Sequence, residues 1–207
     1  MTAPIRRSAE GWDAVLAALP DAMRAEVRAA YAGPARHYHD GAHVGGIWAT
    51  WRALGGDAGD RAILWAAAYH DLVYEIPAAK GWNEAESARR LARTGAALAL
   101  DPVALAEAIG MIEATADHLA AAAARDRLFC DLDLSGLACD PAGFSENTGR
   151  VRREYAQVPE AEFRAGRRVF LAGLLAEPAI FRSGQVPAWW EAAARENIRR
   201  EASGMPA

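Results

Sequence analysis

The run Ala62-Ile63-Leu64-Trp65-Ala66-Ala67-Ala68-Tyr69-His70-Asp71-Leu72-Val73-Tyr74 is too apolar to lie on a surface, yet it carries an imidazole beside a carboxylate. Left unpaired in a dry interior, these two groups would cost on the order of several kcal/mol. Any fold must therefore bury this stretch and compensate the pair. A hydrogen-bonded core network would do so, as would a divalent cation, which suits a neutral His next to an ionised Asp.

The surrounding sequence reads as all-α. Alanine, leucine, arginine and glutamate dominate, runs of β-branched residues are absent, and Pro or Gly punctuates the chain at helix-length intervals. The expected helices span 8–19, 21–32, 40–54, 59–75, 83–99, 102–119, 123–136, 141–156, 160–176 and 187–202. Asp21, Asp40, Asp60, Asn83 and Asp101-Pro102 stand where helix starts need a capping side chain or a first-turn proline. In this reading His70-Asp71 is mid-helix, and the Pro- and Gly-bearing segment 75–82 is a loop at the mouth of any site built there. Without internal repeats or low-complexity linkers, the 207 residues are expected to form one domain, with a C-terminal helical segment at 187–203 packing back on it.

Composition removes several classes of function. The formal charge of -4 does not suit a generic nucleic-acid binder. No apolar run has the length of a membrane span, and the first ten residues lack the apolar core of a signal peptide. Two cysteines, Cys130 and Cys139, imply neither a disulfide framework nor a Cys-Cys zinc site, so a cytoplasmic protein is expected. No Gly-x-Ser-x-Gly, Gly-x-x-x-x-Gly-Lys or His-Glu-x-x-His motif occurs, which leaves serine-hydrolase, P-loop and zincin chemistries without an anchor. Surfaces rich in Ala, Leu and Trp leave room for a homodimer without specifying one.

Two His-Asp pairs occur. His39-Asp40 looks like a helix entry with Asp40 as N-cap, and His37 and His39 are read as structural. His70-Asp71 needs no cap and is read as the metal pair. Adjacent residues cannot enclose an ion alone, so further ligands must come from other helices. His43 lies early in the preceding helix. Asp131 and Asp133 form an i, i+2 pair of which at most one can point inward.

With these elements the chain resembles the HD superfamily of metal-dependent phosphohydrolases, marked by a His, a His-Asp pair and a distant Asp on helices. More closely it resembles a small bacterial group of predicted HD-domain phosphohydrolases that begins with His-Tyr-His-x-x-x-His. The stretches that carry the likeness are His37-Tyr38-His39-Asp40-Gly41-Ala42-His43, Tyr69-His70-Asp71-Leu72, Asn83-Glu84-Ala85-Glu86, Ala116-Asp117-His118, Asp131-Leu132-Asp133 and Arg152-Arg153-Glu154-Tyr155. The resemblance implies an HD-like helical bundle and a divalent ion (Mn, Mg, Fe, Ni or Zn) held by His43, His70, Asp71 and Asp133, with Asp133 preferred to Asp131. It also implies hydrolysis of a small phosphate ester, a nucleotide foremost, by a metal-activated water. Glu84 and then Glu75 are the candidate proton-transfer groups, and His118, Arg36, Arg152 and Arg168 the candidate substrate contacts. Trp82 stands where close relatives of that group tend to carry an acid. Two alternatives remain: a di-iron HD-fold oxygenase, which carries more histidines between the pair and the last Asp, and a catalytically silent nucleotide-binding module.

Overall fold

The computed structural model describes Pro4 and residues 7–204; among them it is all-α, with no strand. The helices are α1 (Ala9–Ala18), α2 (Asp21–Tyr31), α3 (Gly41–Ala53), α4 (Arg61–Tyr69), α5 (Trp82–Ala97), α6 (Pro102–Ala114), α7 (Ala124–Asp133), α8 (Pro141–Glu154), α9 (Glu160–Ala176) and α10 (Trp189–Ser203). Short 3-10 turns at Thr115–Ala120 and Leu134–Ala138 follow α6 and α7.

Helix α4 organises the bundle. Every residue from Ala62 to Tyr69 is buried, as a helix apolar on all faces requires, and the main core forms around it from α1, α2, α3, α5, α6 and α7. Asp60 starts the helix, accepting from the Ile63 N–H at 3.1 Å while Arg125 holds both its oxygens at 2.8 Å. A second core joins the 134–138 turn to α8, α9 and α10 through Leu134, Phe144, Leu171, Leu174, Trp190 and Ile198. None of the helices is long and apolar enough to cross a membrane, among the described residues.

The expected helix 59–75 is shorter than its composition suggested. It ends at Tyr69, and His70 is the C-cap rather than a mid-helix residue, with φ -56° and ψ -37°. Apolar composition did not distinguish a helix from a buried turn here. Pro77 lacks the N–H that a continued helix would need and disfavours a helical Ile76, so the chain leaves the helix before it. Asn83 is not a cap: Gly81, at φ 77°, begins α5, and the Asn83 side chain instead pairs with the Glu75 backbone at 3.0 and 3.1 Å. Pro20 takes the N-cap position expected of Asp21, and Asp21 pairs with Arg24. The expected 102–119 helix breaks at Ala114, and Asp117 in the following turn is non-helical at φ -150°.

Helices α1 and α3 approach backbone to backbone. A Cβ on Gly45 would lie 2.0 Å from the Ser8 carbonyl oxygen, and one on Gly11 would lie 2.2 Å from the Gly45 carbonyl oxygen. Only glycine allows this contact, which positions the first turn of α3. Gly45→Ala is expected to destabilise the protein by on the order of 3 kcal/mol, measured by urea unfolding, because backbone must move to admit the methyl group. An unchanged midpoint would mean that the two helices separate freely.

Candidate metal centre

Three helices and one turn bring the site together. His43 sits in the first turn of α3, which Asp40 caps by accepting from the Ala42 and His43 N–H groups at 2.9 and 3.2 Å; Arg7 grips the other Asp40 oxygen. His70 closes α4 and donates from Nδ1 to the Ala67 carbonyl at 3.0 Å, which turns Nε2 toward the centre. Asp71 follows in the turn. Asp133 ends α7.

The inward atoms converge. His43 Nε2 lies 3.3 Å from His70 Nε2 and 3.1 Å from Asp133 Oδ1. Asp71 Oδ2 is 2.8 Å from His70 Nε2 and 3.7 Å from His43 Nε2, and Asp133 Oδ1 is 3.7 Å from His70 Nε2. Both histidines are almost wholly buried. Asp71 Oδ2 is itself buried and, among the described residues, has the imidazoles as its polar neighbours, with no well-aligned hydrogen bond. On the outer side of Asp133, His118 Nε2 contacts Oδ2 at 2.8 Å from the 115–120 turn.

The charges respond to this crowding. Burial alone would depress His70, but Asp71 beside it, with Asp133 and the Ala67 carbonyl, raises it to about 9. Burial favours the neutral acid at Asp71 and Asp133, yet the imidazoles hold both carboxyls below their ordinary range. His70 dominates at Asp71, and the His118 and His43 hydrogen bonds at Asp133.

The i, i+2 pair divides as its spacing requires. Asp133 meets the histidines, whereas Asp131 is turned away and accepts from the Arg182 and Ser183 N–H groups, each at 2.8 Å. Of the remaining candidates, Glu84 is half-buried and makes no hydrogen bond among the described residues, and Glu75 is exposed. The arginines expected to grip phosphate have other partners. Arg36 donates to the carbonyls of His39, Asp71 and Leu72. Arg152 is taken up by Glu160 and the carbonyls of Tyr155 and Val158. Arg168 lies on the exposed face of α9.

One residue with a large role stood in the sequence reading only as part of a stretch of likeness, with no role of its own. Glu154, the last residue of α8, is buried and accepts with Oε1 from the N–H groups of His37, Tyr38 and His39 at 2.8, 2.7 and 2.8 Å. Its Oε2 meets His39 Nδ1 at 2.7 Å. An acid in the last turn of a helix opposes the dipole, and that anomaly was the available signal. Burial raises Glu154, but the His39 hydrogen bond and charge outweigh it and lower its pKa to about 2. His39 is raised in turn, with burial opposing and Asp71 and Glu154 prevailing.

No family model, no curated protein and no solved structure matches this chain. The donor set itself can be tested for fit to a cation. Ligands bonded at roughly 2.1 Å to a common ion lie about 3.0–3.4 Å from one another in octahedral or tetrahedral geometry. The observed separations, 2.8 to 3.7 Å, bracket that range. His43, His70 and Asp133 form a group able to hold a metal ion; Asp71 is not part of that group and stands at its edge, 2.8 Å from His70 Nε2. The residues fit.

Proposed function

We propose that this chain is a metal-dependent phosphohydrolase of the HD type, acting on a small phosphate ester with a nucleotide as the first candidate. The observation that carries the reading is the convergence of His43, His70 and Asp133 inside an apolar bundle, with the buried Asp71 carboxylate beside His70. Paired imidazoles and carboxylates can remain there by sharing extra protons or by sharing a cation, and the His70 Nδ1 bond to Ala67 suits the second case.

A divalent ion, when bound, supplies acidified water and polarises a phosphoryl oxygen. The chain's own part is to orient and to move protons. His118 bears on the outer oxygen of Asp133 and steadies that carboxylate. Glu84, half-buried in the first turn of α5 and without a hydrogen bond among the described residues, is the carboxylate assigned to proton exchange. The di-iron alternative calls for two further histidines between the pair and the last Asp, and the sequence has His118 alone in that interval, which favours the hydrolase.

The deciding experiment is elemental analysis of the purified chain, followed by a phosphate-release screen of nucleoside mono-, di- and triphosphates and simple esters with the ion found. Phosphate release that a chelator abolishes supports the proposal. Two irons per chain without phosphate release would favour the oxygenase, and nucleotide binding without turnover under every ion would favour the silent module.

A further inference from the structure

We infer that Arg36 is the positioning residue of this centre: by fixing the peptide that carries Asp71 to the segment that leads into α3, it sets the affinity for the cation. The inference rests on the metal-centre reading above.

His43 and Asp133 lie within helices, whose own hydrogen-bond ladders hold their backbones. Asp71 lies beyond the end of α4 and has no such ladder. The N–H groups of the turn that follows go to the Tyr69 carbonyl from Leu72 and to Ser87 Oγ from Val73, each at 3.0 Å, and its carbonyls are held by the Arg36 guanidinium. One terminal nitrogen donates to the Asp71 carbonyl at 2.6 Å and to the His39 carbonyl at 3.0 Å, and the other donates to the Leu72 carbonyl at 2.9 Å. The guanidinium also lies over the rings of Tyr31, at 4.8 Å, and Tyr74, at 5.4 Å, which restrict its movement.

The other end of the brace is equally fixed. Glu154 accepts all three N–H groups of His37, Tyr38 and His39, so the segment from which Arg36 projects is tied to the end of α8. The chain from 36 to 39 is thus held by its N–H groups on one side, while Arg36 holds the Asp71 turn on the other. Three carbonyls on one planar fork is a task for arginine; an ammonium is a single point charge on a flexible stem. These bonds also explain why Arg36 is not placed as a phosphate clamp.

The test is Mn²⁺ binding to the full, chelator-stripped chain by isothermal titration calorimetry, with thermal unfolding of the stripped chain measured in parallel. Arg36→Gln is compared with Arg24→Gln, because Arg24 makes a similar brace at the α1–α2 corner, to the carbonyls of Leu16 and Leu19 at 2.7 and 2.9 Å. Arg36→Gln is expected to weaken Mn²⁺ binding by about tenfold or more, in the range found for residues that orient metal ligands. Arg24→Gln should lower the unfolding temperature by a similar amount and bind Mn²⁺ as the wild type does. If Arg36→Gln fails to fold, Arg36→Lys keeps the charge and is expected to fold and still bind several-fold more weakly. Wild-type affinity in the folded Arg36 variant, or an equal loss in the Arg24 variant, overturns the positioning role alone. A wild-type chain that binds no Mn²⁺ and carries no metal as purified overturns the metal centre and this role with it.

Discussion

Asp133→Ala is expected to empty the metal centre, taking the bound ion from about one per chain to none, whereas Asp131→Ala two residues earlier leaves it bound. The contrast follows from where the two carboxylates go. Asp133 contacts His43 and His118, while both Asp131 oxygens are spent on the Arg182 and Ser183 N–H groups. Removing Asp131 takes the acceptor from two partly buried N–H groups and should cost about 1 kcal/mol of stability. Elemental analysis after gel filtration, with circular dichroism to confirm folding, separates the two outcomes. Full metal content in a folded Asp133→Ala chain would sink the ligand assignment.

The second large effect belongs to Glu154→Gln. The folded-state pKa of Glu154 is about 2 against an ordinary 4.5, so its ionised form is favoured by folding. That contribution is fully present above the ordinary value and is lost as pH falls from there toward 2. The difference corresponds to on the order of 3 kcal/mol, shared with His39 rather than added to it. The share of His39 has the opposite sign: its raised pKa contributes below 6.5 and is lost as pH rises through the folded value. The pair is therefore strongest in mildly acidic solution. Urea unfolding near pH 6 should show Glu154→Gln markedly less stable than wild type, and the gap should narrow steadily once the pH drops below the ordinary glutamate value. A gap that does not change with pH would mean that the His37–His39 turn does not depend on the charge.

The parts of this architecture that were legible in the sequence are those set by neighbours along the chain. Asp40, Asp60 and Asp101 cap their helices because a side chain needs only to reach two or three residues forward. The i, i+2 spacing of Asp131 and Asp133 already required them to diverge. The structure brings His43, His70 and Asp133 together at positions that spacing and resemblance had indicated, although His70 closes a helix instead of lying within one. What could not be read depends on partners distant in sequence. Arg36 meets carbonyls 35 and 36 residues away, and Glu154 meets N–H groups more than a hundred residues away. A carbonyl or an amide has no side-chain identity, so nothing in the letters at 71 or 38 announces the charge that will bind there. The Asn83 error has the same origin, because its partner is the backbone of Glu75.

The centre draws on residues as far apart as 27 and 90 positions along the chain. An ion held there would act as a staple that closes two large loops at one knot, removing conformational freedom from the unfolded chain much as a cross-link does. Helices α3, α4 and α7 carry the knot and would lose the ability to open one at a time. Helices α8, α9 and α10 lie beyond its last residue and would keep theirs, so amide exchange in the two cores should respond very differently to a chelator.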